Sequence, residues 1–356
     1  MSRALGAVLL GAILCASAAA FDSLSLLVPG IGLMLLGVVS AAWIGLASAG
    51  ASVERTLGDP TVEEEQPYPL LVGARTGLLP APGGELVEPL VTKRMPMAGR
   101  RARRLRVEVH FARRGRRVLE GSRLELRDPL GLATRTLRAP AAEVLVLPRI
   151  EPVLAAGGGG AGAVADSAAL AATAAELELD SLRPYRQGAP AARIHWPTVA
   201  RTGELVERRL VADEDARPLV VLDARRSPGE EELDRAVRAA ASLVVHLARS
   251  GGCALLLPGD RRATAVEGDL RVWPGLHARL ALLEPAEEPP GTGRLRRGGA
   301  IFWVVPGAAE APVGLRRAMA GTRYLVAAVP LENTASVFTV AGCSGYRLRN
   351  ERVLAA

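Results

Sequence analysis

The groups in this chain that could do chemistry are few: four histidines, three cysteines and some adjacent carboxylates. His110, His195, His246 and His277 stand apart, and no Cys or Glu joins them at the short spacings a zinc site needs. His246 falls in an apolar stretch of helical period, where a histidine satisfied within a core is the usual case. Cys15 lies in an uncharged segment, and Cys253 and Cys343 are too isolated to read as a disulfide framework. There is no Gly-x-Ser-x-Gly turn to expose a nucleophile. Glu63-Glu64-Glu65 and Glu287-Glu288 sit among prolines and read as solvated loops rather than acid/base pairs. Gly157 to Gly160 is not followed by the Gly-Lys-Ser/Thr of a phosphate loop. These residues favour a protein that is not an enzyme and has no cofactor or resident metal, although a hydrolase using His195 and an acid stays open.

The densest positive run holds Arg100, Arg101, Arg103, Arg104, Arg106, Arg113, Arg114, Arg116 and Arg117. A nucleic-acid surface would interleave aromatic platforms or lie along a recognition helix. Only His110 and Phe111 interrupt this run, and Lys93 is the only lysine of the chain. The arginine bias is therefore compositional, and nucleic acid is not an expected partner. A solvated arginine face on a hairpin is the leading reading, with attraction to anionic lipid headgroups as the alternative.

The elements that carry these groups begin with a membrane anchor. Between Ala4 and Val53 the only charged side chain is Asp22. At about 1.5 Å per residue, the uncharged stretches on either side can each cross a hydrocarbon core of roughly 30 Å. Placing the turn at Pro29-Gly30 gives spans over about 4–21 and 31–50 within residues 1–53, with Trp43 on the second. Arg3 and Arg55 lie outside the hairpin and Asp22 inside it. The positive-inside bias therefore puts both ends, and the body, in the cytoplasm of a multi-pass plasma-membrane protein. The competing reading treats the first 20 residues as a signal peptide cleaved at Ala16-Ser17-Ala18, which leaves the second span in place.

The remaining length suits two soluble domains, and 49% apolar with 23% charged residues suits folded protein rather than a many-span transporter. Residues 54–150 alternate with a period of two, as in Leu105 to Val109, with turn signals at Gly83-Gly84, Gly99, Gly115, Gly121 and Asp128-Pro129. They predict a strand-rich, β-sandwich-like domain. Residues 151–178 form a Gly/Ala-rich linker, with a short helix over Ala168 to Glu178. From 216 to 356 the period changes. Leu219 to Leu222 predicts a buried strand and Glu230 to Arg249 an amphipathic helix stopped at Gly251-Gly252. Cys253 to Leu257, Ile301 to Val305 and Tyr324 to Val329 predict further strands, with a short helix near Leu315 to Met319. That succession predicts an α/β doubly wound sheet.

Between these parts, residues 179–215 carry Leu182-Arg183-Pro184-Tyr185-Arg186-Gln187-Gly188, Arg193-Ile194-His195-Trp196 and Ala200-Arg201-Thr202-Gly203-Glu204-Leu205. The segment resembles the signature of the bacterial domain-of-unknown-function family 58, approximately Arg-x-Tyr-x-x-Gly-Asp, Arg-x-Ile-x-Trp, then Ala-Arg. Arg114-Gly115, Asp128-Pro129-Leu130-Gly131-Leu132 and Val146-Leu147-Pro148 resemble the family's preceding strands, so the likeness covers about Arg113 to Leu257. It implies a von Willebrand factor A-like C-terminal domain. It also implies two partners besides the lipid bilayer, a MoxR-type AAA+ ATPase and a transglutaminase-like membrane protein. No settled activity comes with it. Ala189 replaces the family's acid, and Pro197 stands where a basic residue is common.

A metal-dependent von Willebrand A site uses Asp-x-Ser-x-Ser at the end of the first strand, because carboxylate and hydroxyl oxygens complete the shell of a hard divalent ion. Here the pattern is Asp223-Ala224-Arg225-Arg226-Ser227, and a fixed cation replaces the first serine. The expectation is a degenerate site without metal. Asp223 either caps its own turn with Arg225 in solvent, or Arg225 acts as a tethered cation for an acidic partner. A metal-dependent adhesion module is the alternative that Arg225 opposes. Within the signature, Arg183, Tyr185, Arg186, Arg193, His195, Trp196 and Arg201, with Gly188, are residue types that anchor interfaces. The favoured expectation is a structural brace with Trp196 packed beneath the arginines.

Overall fold

The computed structural model describes residues 2–91, 94–155, 179–184, 196–210, 217–291, 299–307, 311–317, 322–332 and 334–348. The chain divides into two compact units. One comprises Met1–Ala112 with Arg116–Val146, the other Arg113–Gly115 with Leu147–Ala356.

The first unit opens with two helices, α1 (Ser2–Ala20) and α2 (Leu24–Ser48), both long and apolar enough to cross a membrane. The turn between them falls at Phe21 to Ser23, where Asp22 adopts a left-handed backbone (φ 46°). It does not fall at Pro29-Gly30, as the sequence suggested; both residues lie inside α2. The only charge in the segment is the better turn former, and Gly30 serves packing instead. A Cβ on Gly30 would stand 2.7 Å from the Cys15 sulfur, one on Gly11 2.6 Å from the Gly30 carbonyl, and one on Gly37 2.8 Å from the Ala4 carbonyl. Close approach of backbones through small residues is how helices associate in lipid, where apolar bulk gives no drive to pair. The outer surface stays apolar and exposed at Leu9, Ile13, Leu24, Val28, Leu35 and Val39.

The strand-rich part of this unit follows, with ten strands among the described residues. They are β1 (Ser52–Leu57), β2 (Thr61–Glu63), β3 (Tyr68–Arg75), β4 (Gly84–Val87), β5 (Met95–Pro96), β6 (Ala102–Val109), β7 (Gly115–Leu119), β8 (Arg123–Arg127), β9 (Thr134–Arg138) and β10 (Ala142–Leu147). They form three sheets, ordered β1-β3-β6, β2-β10-β7 and β5-β4-β8-β9. The period-two pattern is realised most fully in β3, where Tyr68, Leu70, Val72 and Ala74 are buried and Pro69, Leu71 and Arg75 exposed. Leu70, Val72 and Ala74 share a core with Leu86, Leu124 and Leu126, so the first and third sheets face each other. Ala4, Ile44 and Ala47 of the helices join the same core. A second core gathers Val62, Tyr68, Phe111, Leu119, Val144 and Val146. Beside these cores a buried ion pair links Arg55 of β1 to Glu88 at 2.9 Å.

In the second unit, Leu147 to Ala155 is built into the fold. The Ser242 hydroxyl accepts from the Glu151 N–H at 2.9 Å, and Val153 is buried in the main core. The strands are β11 (Leu154–Ala155), β12 (Leu179–Pro184), β13 (Val206–Leu210), β14 (Leu219–Leu222), β15 (Cys253–Leu256), β16 (Thr264–Val266), β17 (Ile301–Val305), β18 (Arg323–Ala327), β19 (Phe338–Val340) and β20 (Cys343–Leu348). The helices are α3 (Trp196–Thr202), α4 (Glu230–Gly251), α5 (Trp273–Ala281) and α6 (Val313–Arg317). Eight strands make one sheet, ordered β11-β19-β20-β18-β17-β14-β15-β16, while β12 and β13 pair separately. Its centre is parallel, since β14 pairs with both β15 and β17 and β17 with β18. The outer pairs β15–β16, β18–β20, β19–β20 and β11–β19 are antiparallel. Leu219 to Leu222 is buried at every position because both sheet faces are covered. Val220 and Leu222 face α4 with Phe302, Tyr324 and Phe338, and Leu219 and Val221 face Trp303, Leu315 and Leu325. The predicted linker helix over Ala168 to Glu178 lies outside the described residues.

Candidate functional site

Strand β14 is the first of the parallel set and has a parallel neighbour on each side, so the strand order reverses around it. Ligands in doubly wound sheets bind at the carboxyl end of such a strand. Asp223 is the residue at that end, and its N–H continues the ladder to the Val304 carbonyl at 2.9 Å. Its side chain is buried, yet both oxygens are satisfied from within the chain. Arg225 Nε donates to Oδ1 and Nη2 to Oδ2, each at 2.8 Å, a bidentate fork. The indole N–H of Trp303, across the β14–β17 ladder, donates to Oδ2 at 3.3 Å. The Arg225 N–H reaches Oδ1 at 3.3 Å, which is the cap of its own turn. Hydrogen bonding to Asp223 raises the Arg225 pKa, burial works against it, and the nearby carboxylate charge adds to the rise.

The arrangement does not fit a divalent ion. Every oxygen of Asp223 that could face a metal accepts from a guanidinium or indole donor, and a cation would meet Arg225 first. Ser227, the position of the last hydroxyl in the metal pattern, donates instead to the Gly229 carbonyl at 2.5 Å. Both sequence expectations for Arg225 therefore need adjustment. Asp223 does cap the turn, but the guanidinium folds back onto it rather than extending into solvent, and half-buried there it is already paired. Among the described residues, no group of three or more His, Cys, Asp or Glu side chains could hold a metal.

The signature residues are placed only in part. Arg183 lies on β12, opposite Glu207 of β13. Tyr185, Arg186, Gly188, Arg193 and His195 lie outside the described residues. Trp196 opens α3, and the residue is 60% exposed. Arg201 is also exposed, and α3 ends at Gly203, whose φ of +72° and N–H bond to the Val199 carbonyl close the last turn. The expectation that Trp196 lies packed beneath the arginines is thus corrected. It stands at the first position of a helix of seven residues, too short to bury a large ring against its own turns.

Two of the upstream motifs turn out to be joints. The Asp128 carboxylate accepts from the N–H of Ala133 at 2.7 Å and of Leu130 at 3.1 Å, closing the Asp-Pro-Leu-Gly-Leu turn on itself. Its Oδ2 also accepts from Ser40 of α2 at 3.2 Å, tying the turn to the helix. In the second unit, Arg113 Nε donates to Asp234 of α4 at 2.9 Å. Arg114 forms an ion pair with the same carboxylate at 3.1 Å and donates to the Leu283 carbonyl at 2.8 Å. Half of this was hidden from sequence reasoning, because Asp234 looks like an exposed position beside Glu230 to Glu232 until α4 turns it inward. His277 was likewise read as isolated. It is buried, stacked on Trp273 and bonded to the Pro148 carbonyl at 2.7 Å.

No protein-family model matches this chain, and no curated protein matches it in sequence.

Proposed function

We propose that the chain is a membrane-anchored interaction module, with a von Willebrand A-like C-terminal domain on the cytoplasmic side, that does no covalent chemistry itself. Its partner in this reading is a MoxR-type AAA+ ATPase, acting with a transglutaminase-like membrane protein in maturation of envelope proteins. The observation that carries it is the closure of Asp223 by Arg225 at the switch point of the sheet. A position where related domains would recruit an ion and then an acidic ligand is here held shut by a side chain of the same loop. Three further features support the reading. The parallel order β15-β14-β17-β18 at the centre of the sheet supports the doubly wound fold that the resemblance to family 58 implies. The glycine contacts between α1 and α2 suit a retained hairpin better than a cleaved signal peptide, because cleavage would strip the partner from Gly30 and Gly37. Arg3 and Arg55 outside the hairpin favour a cytoplasmic body.

The metal-dependent adhesion alternative is tested on the full chain in detergent by thermal unfolding with and without millimolar magnesium or calcium. A native-state ligand at one hundred times its dissociation constant adds about 2.7 kcal/mol, a rise of about 5 to 10 °C for a unit of this size. The expected result is no rise. A rise of that order, reversed by chelator, overturns the reading in favour of adhesion. The partner half is tested by co-reconstitution with the ATPase and nucleotide, where absence of a complex counts against it.

A further inference from the structure

Two loops are pinned to the last turns of α2, and their level along the helix can be measured. In the first loop the Gly77 N–H donates to the Ala47 carbonyl at 2.6 Å, and the Leu78 N–H to the Leu46 carbonyl at 3.1 Å. The Trp43 indole donates to the Pro80 carbonyl at 3.2 Å. The second loop is the Asp128 turn, held to Ser40. The neighbouring helix gives an independent ruler. The apolar window of α1, Arg3–Ala20, holds 18 residues, about 27 Å of helix and close to one hydrocarbon thickness. Gly37 packs on Ala4, so Arg3, the charged end of that window, lies near the level of Ser40. By the same measure α2, with 25 residues, is about 37 Å long and exceeds the hydrocarbon by several ångströms at its Ser40–Ser48 end. Trp43 then sits at the depth where indole rings collect in membranes.

The loops at this level present an unusual surface. Leu78 is 65% and Leu130 61% exposed, although a polar tip would satisfy both turns equally well. Around them stand exposed arginines. Arg101 donates to the Leu78 carbonyl at 3.3 Å. Arg127 and Arg135 flank the Asp128 turn, and the register Arg127↔Thr134, Leu126↔Arg135 puts them on opposite faces of the hairpin. An open cavity runs between Gly83-Gly84 and Arg127 to Gly131.

We propose that these two loops form a collar around the base of α2 that buries Leu78 and Leu130 in the membrane interface and binds anionic phospholipid headgroups through Arg101, Arg127 and Arg135. The collar rests on the membrane-anchored reading and adds to it a preference for lipid charge. Leucine at the acyl boundary with guanidinium beside it is the composition of an interfacial anchor.

The test uses the full chain in proteoliposomes, with Cys15→Ala so that only an introduced cysteine is labelled, Cys253 and Cys343 being buried. A fluorophore is placed at Leu130→Cys or, as control, at Leu36→Cys on the exposed face of α2, and bromine-labelled phosphatidylcholine is the quencher. Quenching of about twofold or more at both positions is expected. Quenching at Leu36→Cys alone overturns the collar and leaves the anchor standing. Quenching at neither overturns both. For the headgroup half, spin-labelled phosphatidylglycerol and phosphatidylcholine are compared. Arg127→Gln with Arg135→Gln should lower the preference for the anionic lipid by about fivefold per arginine. An unchanged preference in that variant overturns the assignment of headgroup binding to these side chains.

Discussion

Removing Glu88 should open the first unit locally, and the cost follows from its surroundings. Its side chain is fully buried and that of Arg55 nearly so, at 0% and 2% exposure. Glu88 Oε1 accepts from Arg55 Nη2 at 2.9 Å and Oε2 from the Ser122 hydroxyl at 2.5 Å. Arg55 Nη1 is spent on the Glu120 carbonyl at 2.8 Å. Glu88→Ala leaves the guanidinium buried with its charge uncompensated, a change that costs about 3 to 5 kcal/mol because the desolvation of the remaining ion is no longer offset. Hydrogen exchange reads this locally. Amides of β4 and β8, which bracket the pair, should exchange faster by about two to three and a half powers of ten, at 1.4 kcal/mol per tenfold. Replacing both charges, with Arg55→Leu and Glu88→Leu, should recover most of the loss, leaving the smaller cost of an unpaired Ser122 hydroxyl. If Glu88→Ala exchanges within about threefold of the wild type, the pair behaves as a surface ion pair and the reasoning from burial is wrong.

Trp196→Ala, at an exposed position, should change unfolding by no more than about 0.5 kcal/mol, measured by denaturant titration of the full chain. A loss of 3 kcal/mol would mean that the ring is buried after all. Because stability is spared, the same variant cleanly reports whether Trp196 contributes to binding of the proposed ATPase partner. Burial pushes the thiols of Cys253 and Cys343 up to about 12 each. Neither should alkylate in the native protein near neutral pH, in intact or opened cells, and rapid labelling would contradict their burial. Topology is therefore better read with Ser250→Cys, at an exposed position on the body. An impermeant thiol reagent should reach it only after the cells are opened, and labelling from outside would refute the cytoplasmic assignment.

What the sequence made legible follows from where the information was local. The two apolar helices were readable because a long run of uncharged residues has few other uses, but the turn between them was misplaced because Pro29-Gly30 looks like a breaker when the packing of α1 is unseen. The parallel strands were readable as continuous apolar runs, whereas β11, β16 and β19 are two or three residues long and acquire strand character only from their partners. At the candidate site Asp223 and Arg225 were found from their spacing. Their pairing with each other was not, since a guanidinium two residues from a carboxylate can equally well point away. Trp303 could not have been linked to them before the β14–β17 register brought it across. Glu88 and Asp234 carried no sequence mark of burial, because an acid among polar neighbours reads as surface until an arginine far along the chain is found against it.

The edge strand β11 changes the meaning of the Gly/Ala-rich stretch that follows it. Because Leu154 pairs with Thr339 and Val153 lies in the core of the second unit, the chain enters that stretch from the same body it returns to. The described residues on either side of it, Ala155 and Leu179, both belong to the second unit. A break in the backbone beyond Ala155 would leave β11 paired with β19 and Val153 held in the core.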